Sequence, residues 1–329
     1  MRATAWLNAC LFASLGLVLS PAMAGIARAA EPYPTHTIRL IVPFPAGGSN
    51  DVMARIIAPQ LEQALGQTVI VENRPAAGGI VGSDAVAKAV PDGHTLLLVA
   101  SSHTVTPALN SKLPYNTERD FAPISLLNTN AMVFFVNPQV PANNLAEFVE
   151  LARKNPGKFN YSSPGTGSQT HLTIELLSRR TGISLQHIPY KGGAPATMAT
   201  IAGETEFTML APNVIFPHIE AGTIRAIASG DVTRHPRLPN VPTTAELGFP
   251  SIRAIQWVGM FTTAGTPRPV IDRLNAELNR IVRSPATAAK LVEQGVTPTG
   301  STPEEFQQLI ASEIRQWTEV AREAKIQVE

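Results

Sequence analysis

Short apolar runs alternate with longer amphipathic stretches along most of this chain. The first runs after residue 37 are TIRLIVPF, TVIVEN and TLLLVA, separated by 50–65 and 79–89. In the first intervening stretch, Met53, Ile57, Leu61 and Leu65 recur at spacings near 3.6, which is typical of a helix. Strands and helices in this alternation form mostly parallel sheets with helices on their faces. The sequence therefore predicts an α/β fold.

Two β-rich segments interrupt this alternation and indicate two lobes. One leads through FAPISLLNTNAMVFFV, and the other, AIQWVGMFTT, follows the proline-rich connector RHPRLPNVPTTAELGFP. Between them the alternation resumes, with helices predicted over 145–154, 168–180 and 194–202. We predict lobe 1 from residues 31–130 plus 254–329 and lobe 2 from 131–253, each with a mixed, mostly parallel sheet, joined by two crossing strands. A cleft between lobes is a common place for a small ligand.

Residues 1–30 have the pattern of a secretory signal peptide. An early arginine precedes an apolar centre, and small residues suit cleavage near Ala29 or Ala30, with Ala24 as an alternative. The apolar centre is shorter than the roughly 20 residues of a membrane-spanning helix. Cleavage removes Cys10, the only cysteine, so the mature chain has no disulfide or thiolate site. We expect a periplasmic protein, and we expect it to be a monomer.

Charge and motif content argue against several function classes. The formal net charge is +1 and there is no basic run, which disfavours nucleic acid as a partner. The seven histidines are scattered without a metal-binding pair, so no metal is predicted. The phosphate and dinucleotide motifs G-K-[ST] and G-x-G-x-x-G are absent, and no cofactor is predicted.

The segment VPFPAGGSND, residues 42–51, joins a predicted strand to a predicted helix. Ser49, Asn50 or Asp51 is expected to cap that helix, whose first N–H groups and positive dipole end suit an anion. Gly47 and Gly48 allow close approach of a ligand to the backbone. Without a lysine, carboxylate is favoured over phosphate. A rigid turn that binds no ligand is the alternative.

The segment YSSPGTGSQTH, residues 161–171, repeats this design in the second predicted lobe. Ser168 is expected to cap the helix that follows, so each lobe supplies one anion-binding turn. A hydrolase using Ser168 and His171 is an alternative, although no G-x-S-x-G elbow is present. Further candidates follow the ends of other strands or lie in the returning crossing strand: Ser101, Ser102, Tyr190, Lys191, Asn213 and Trp257.

Nine segments, in order, resemble the signature segments of the Bug family, the periplasmic substrate-binding proteins of tripartite tricarboxylate transporters. They are YPTHTIRLIVPFPAGGSNDVMAR, GQTVIVENRPAAGG, VPDGHTLLL, LPYNTERDFAPIS, NPGKFNYSSPGTGSQTHLTIELL, HIPYKGGAPA, LPNVPTTAELGFP, WVGMFTTAGTP and STPEEF. The resemblance implies a two-lobed Venus-flytrap fold of type II, no enzymatic activity, no cofactor, and a carboxylate ligand delivered to a membrane permease. That ligand class includes di- and tricarboxylates, amino acids and aromatic acids. The resemblance assigns ligand binding to Phe44, Ala46, Gly47, Gly48, Asn50 and Asp51 on one side and to Ser163, Gly165, Thr166, Gly167, Ser168 and His171 on the other.

Two departures from the family pattern concern specificity. EFTMLAPN replaces a segment that usually carries an acidic residue or asparagine, and His94 stands where tyrosine is common. The first leaves open which distal group of the ligand is recognised. A periplasmic sensor that signals to a membrane kinase is the alternative to transport, since the same fold serves both roles. Lobe closure is expected to hinge near residues 130 and 254.

Overall fold

The computed structural model describes residues 33–326, without the side chain of Asn213. The predicted signal peptide and its cleavage sites lie outside the described residues. The helices are α1 Ser49–Leu65, α2 Ile80–Ala87, α3 Ser102–Leu109, α4 Leu145–Lys154, α5 Gln169–Thr181, α6 Gly193–Ala202, α7 Pro212–Glu220, α8 Arg268–Arg283, α9 Pro285–Glu293 and α10 Pro303–Ala324. The strands are β1 Ile38–Val42, β2 Val69–Asn73, β3 Thr95–Ala100, β4 Phe121–Ala131, β5 Val133–Val136, β6 Asn160–Ser163, β7 Gln186–Pro189, β8 Phe207–Leu210, β9 Arg225–Ser229, β10 Ile255–Thr263 and β11 Thr297–Pro298.

These strands form two mixed sheets, which confirms the predicted α/β class. The first sheet has the order β11-β4-β10-β3-β1-β2, with β1 parallel to β2 and β3 and the remaining pairs antiparallel. The second has the order β7-β6-β8-β5-β9, with β6 parallel to β7 and β8 and the remaining pairs antiparallel. The predicted lobe boundaries stay predictions.

The chain passes between the two sheets through a tight crossing of three segments. Met132 N–H donates to the Ala254 carbonyl at 2.7 Å, Gly230 N–H to the Met132 carbonyl at 2.9 Å, and Ala254 N–H to the Gly230 carbonyl at 3.0 Å. A Cβ at Gly230 would lie 2.4 Å from the Cβ of Ala254. Only glycine therefore allows the backbones to approach this closely.

Helix α10 packs against the cores of both sheets. It begins with a capping box in which Thr302 and Glu305 satisfy each other's backbone N–H groups. Its first half buries Phe306 among the aromatic residues of the first sheet. Its second half buries Trp317 and Val320 in the main core of the second sheet. The sequence assigned this helix to the first lobe alone, whereas its apolar residues cover both sheets.

Candidate functional site

The side chain of Asp51 stabilises the first turn, residues 42–51, through hydrogen bonds. This carboxylate is 2% exposed and accepts hydrogen bonds from Gly47 N–H at 2.8 Å, Arg55 Nε at 2.9 Å and Asn73 Nδ2 at 3.0 Å. The bond from Arg55 is the largest cause that lowers its pKa to about 2. Gly47 adopts a positive φ of 81°, which directs its N–H toward Asp51 rather than toward a ligand.

The first helix begins differently from the sequence prediction. Its N-cap is Gly48 rather than Ser49, Asn50 or Asp51, and no side chain caps it. Because Asp51 is committed to the turn and to Arg55, the first N–H groups of α1 remain available to a ligand. Gly48 presents only hydrogen on its Cα, and a Cβ there would meet the Pro45 carbonyl at 3.3 Å.

The second turn satisfies most of its own polar groups. Ser168 caps α5 as predicted, accepting a hydrogen bond from His171 N–H at 3.3 Å. Gly167 N–H donates to His171 Nδ1 at 3.1 Å, and the Ser163 hydroxyl pairs with His187 Nε2 at 2.6 Å. The imidazole rings of His171 and His187 stack at 3.8 Å, and burial lowers the pKa of each to about 4. Both rings are therefore neutral near pH 7.

This geometry removes the support for a serine nucleophile. The Ser168 hydroxyl oxygen accepts from the backbone of His171, while the His171 ring accepts from Gly167. Nδ1 of His171 is thus an acceptor that is already occupied, and its proton lies on Nε2. Ser168 and the His171 ring do not form the hydrogen-bonded pair that an activated serine needs.

Both turns line one cavity of about 720 Å³. It lies between the N-terminal ends of α1, α3 and α5, with strands β4 and β10 on its floor. No charged side chain of residues 33–326 is among its lining residues. The polar lining residues are Ser49, Asn50, Ser101, Ser102, Asn128, Asn130, Ser168, Gln169, Gln256 and Gln294, and the larger apolar ones are Phe44, Val52, Met53, Ile56, Val105, Met132, Leu210, Val214, Trp257, Val258, Leu291 and Val296.

The structure brings eight of the predicted site residues to this cavity: Phe44, Gly48, Asn50, Ser101, Ser102, Gly167, Ser168 and Trp257. A second set lies in or behind the two turns without lining the cavity: Ala46, Gly47, Asp51, Ser163, Gly165, Thr166 and His171. Lys191 is exposed beyond the end of β7, and the Tyr190 hydroxyl donates to Glu204 at 3.1 Å. Two of the predicted site residues, Tyr190 and Lys191, are therefore outside the cavity wall. Asn213 lies in α7, and its side chain is not described.

Sequence reasoning missed Gln169, which connects the two sheets. Its amide nitrogen donates to the Ile255 carbonyl at 2.7 Å, and its amide oxygen accepts from the Ser101 hydroxyl at 3.1 Å. Asn128 and Asn130 were also missed, although residues two apart in a strand face the same side and point together into the cavity. That alternation was the available signal.

A half-buried glutamate is hydrogen-bonded to Trp257 of the cavity floor. Glu313 of α10 accepts hydrogen bonds from Trp257 Nε1 at 3.0 Å and from the Thr104 hydroxyl at 2.7 Å. Trp257 is 1% exposed and also packs edge-on against Phe306. Burial raises the pKa of Glu313 to about 7, opposed by the two hydrogen bonds and by the charge of Arg253.

One cluster of possible metal ligands lies among the described residues. It consists of His36, Asp92 and His94, whose ligating atoms are within 4.8 Å of one another. His94 Nε2 accepts a hydrogen bond from Thr35 N–H at 3.1 Å, so the ring proton lies on Nδ1, 3.3 Å from Asp92. The two rings stack at 3.7 Å and 9°, and their in-plane lone pairs do not converge on one point. This cluster is therefore better suited to packing than to binding an ion.

A family model described as the tripartite tricarboxylate transporter family receptor matches residues 53–326. The chain belongs to this receptor family. The chain is also 37% identical over 315 residues to protein BugT of Bordetella pertussis, covering 95% of this chain and 97% of that protein. The resemblance to the Bug family is thereby confirmed.

Solved structures of this receptor family share the fold. A protein of R. palustris, Rpa4515 with adipate, is 31% identical with a TM-score of 0.71, covering 90% of this chain and 99% of that one. A ligand-free TctC solute-binding protein from Polaromonas is 29% identical with a TM-score of 0.82, covering 88% and 99%. Within residues 33–326, none of the helices combines the length and apolar character needed to cross a membrane.

Proposed function

We propose that this receptor binds a small organic carboxylate in the cavity between its two turns and delivers it in the periplasm to a tripartite tricarboxylate-type permease, without enzymatic activity. The observation that carries this proposal is the meeting of two helix N-termini, more than 100 residues apart in sequence, at one cavity with no charged lining residue. Adipate in the Rpa4515 structure supports the ligand class.

The binding mechanism follows from the groups that line the cavity. The uncapped first turn of α1 offers N–H donors and the positive end of the helix dipole to the carboxylate. Ser168 and Gly167 bring the N-terminus of α5 to the same space. Contacts from both sides stabilise a closed state, so binding and lobe closure are coupled.

Gly48→Val tests the first turn. Gly48 has φ −74°, which valine tolerates, and it lines the cavity at the N-terminus of α1, so we expect the added side chain to obstruct the approach of a carboxylate to that turn. Isothermal titration against hexanoate, adipate, benzoate, glutamate and citrate should detect at least one ligand with the wild type and a loss of at least about 30-fold in affinity with the variant.

Circular dichroism and the melting temperature of the ligand-free variant serve as the control for folding. If the variant folds and binds as tightly as the wild type, the first turn does not hold the ligand. If no carboxylate binds the wild type, the proposed function is wrong.

A further inference from the structure

The first two residues of α5 after its N-cap hold the start of this helix to both sheets. The hydroxyl of Thr170, which is 1% exposed, donates a hydrogen bond to the Met209 carbonyl of β8 at 2.9 Å. Its neighbour Gln169 lines the cavity and reaches the other way, to the Ile255 carbonyl at the start of β10. The second turn is therefore attached to the second sheet by one residue and to the first sheet by the next.

Both partners of Gln169 belong to one unit of the first sheet. Ile255 begins β10, and Ser101 N–H donates to the carbonyl of Trp257, two residues further along the same strand, at 2.9 Å. A carbonyl oxygen can only accept, so the amide nitrogen of Gln169 faces Ile255 and its amide oxygen accepts from the Ser101 hydroxyl. These two hydrogen bonds form what we call the Gln169 bridge.

The Gln169 bridge is the direct polar connection across the cavity. Within the described residues, its two bonds are the only side-chain hydrogen bonds that join 131–253 to the rest of the chain. The ion pair of Arg179 with Glu323, at 3.6 Å, also crosses this division, but it joins α5 to α10 away from the cavity and is partly exposed, so it stabilises little. Because Ile255 directly follows the crossing segments, separation of the two sheets at the cavity requires both bonds of the bridge to break.

From this arrangement we propose that Gln169 is a positioning residue that limits how far the two sheets separate at the cavity when no ligand is bound. One side chain makes both hydrogen bonds, so a single substitution removes the bridge. The ligand-free receptor then shifts toward a more open form. The consequence for binding rests on the proposed function: apparent affinity falls with the fraction of receptor in the form that binds.

Gln169→Met tests the bridge in the ligand-free receptor, because methionine has a similar length and helix propensity but forms neither hydrogen bond. Spin labels at Lys191→Cys and Glu293→Cys, exposed positions after β7 and at the end of α9, report the width of the cleft. The labels are placed in the leaderless chain predicted to start at residue 31, which has no other cysteine. We expect a longer mean distance between the labels in Gln169→Met than in the wild type. An unchanged distance would overturn the proposal.

Gln256→Met is the matched control for this measurement. Gln256 is a glutamine of β10 that lines the same cavity, and its side chain makes no hydrogen bond to another described residue. Its substitution should leave the ligand-free distance as it is in the wild type. An equal lengthening in Gln256→Met would show that any change in the cavity wall opens the cleft, and the role assigned to Gln169 would be wrong.

Gln169→Glu separates the bridge from the stability of α5. A carboxylate at this position still accepts from the Ser101 hydroxyl but has no N–H for the Ile255 carbonyl, and its charge suits the first turn of a helix. We expect a melting temperature no lower than that of the wild type together with a longer ligand-free distance. A lowered melting temperature with a wild-type distance would mean that Gln169 only supports α5, which would overturn the proposal.

Titration with hexanoate and adipate, a mono- and a dicarboxylate of equal chain length, links the bridge to ligand capture. At pH 7.5 we expect Gln169→Met to lose about tenfold in affinity for each acid that binds the wild type. Equal or tighter binding by the variant would contradict the link between the bridge and capture. If no carboxylate binds the wild type, the proposed function fails, whereas the ligand-free distances still decide the role of Gln169.

Discussion

Glu313 links protonation to the floor of the cavity. Its carboxylate contacts Thr104 and Trp257, which are 0% and 1% exposed. Burial raises its pKa from 4.5 to about 7, so the folded protein binds this proton more tightly than the unfolded chain. The resulting stabilisation is complete below pH 4.5 and is lost as the pH rises toward 7.

We therefore expect Glu313→Gln to gain stability relative to the wild type between pH 4.5 and 8. The relative change in unfolding free energy should be on the order of 3 kcal/mol, because the neutral amide does not ionise. Urea unfolding at both pH values measures it. Glu319→Gln, an exposed position on the same helix, is the matched control and should show no such trend. A pH-independent difference for Glu313→Gln would show that this carboxyl titrates normally.

The residues of the two turns could be predicted because their signals are local. Prolines, glycines and hydroxyl residues between a strand and a helix indicate the turn directly from sequence, and they gave the N-cap of α5 correctly but not that of α1, which is Gly48. Their hydrogen-bond partners could not be predicted in this way. Asp51 accepts one hydrogen bond from Gly47 N–H, four residues earlier, and another from Asn73 on β2. Gln169 accepts a hydrogen bond from Ser101, 68 positions earlier. Such pairings depend on tertiary packing.

Among the elements, α3 and α7 are the helices that sequence reasoning missed. Each contains an internal proline, Pro107 or Pro217, and each follows directly after a strand, β3 or β8. Neither is long enough to be stable alone, so both depend on tertiary contacts. For α3 these include buried Val105 and the bond from Thr104 to Glu313. The cavity gains the N-terminus of α3 as a third wall, which the local pattern did not indicate.

The crossing at Gly230 gives a prediction about how the elements join. Alanine at this position places its Cβ 2.4 Å from Ala254 Cβ and 2.7 Å from the Ala254 carbonyl oxygen, so the crossing segments must separate. We expect Gly230→Ala to lower the unfolding free energy by about 1–3 kcal/mol. The matched control, Gly193→Ala at the start of α6, makes only ordinary contact at 3.5 Å from Leu210. Chemical denaturation of both variants tests this, and equal stabilities would contradict the packing constraint.

At the scale of the whole molecule, the two-sheet organisation could be predicted because the alternation of strands and helices is repeated along the chain. The position of α10 could not, since an apolar helix face does not show from sequence which core it covers. Its 22 residues bury Phe306 against the first sheet and Trp317 against the second. We therefore expect any closing motion about the crossing near Met132 and Ala254 to take place with α10 packed against both cores.

Closure can be measured because removal of the predicted leader leaves a chain without cysteine. Spin labels at Lys191→Cys and Glu293→Cys, exposed positions associated with different sheets, report the width of the cleft. We expect saturating hexanoate to shorten their distance, because contacts with both turns form together only in the closed state. Control labels at Lys88→Cys, at the end of α2, and at Lys290→Cys, on α9, are both on helices of the first sheet. The distance between these two labels should not change.

The same labels in Gly48→Val separate closure caused by the ligand from closure that occurs without it. If the first turn holds the carboxylate, this variant stays mostly at the ligand-free distance at a hexanoate concentration about tenfold above the Kd of the wild type. Shortening in the variant would mean that the second turn alone drives closure, since α5 still presents Ser168 and Gly167 to the cavity. An unchanged distance in the wild type, despite measured binding, would mean that the ligand enters a cleft that is already in its final shape, and the hinge at the crossing segments would have no role in capture.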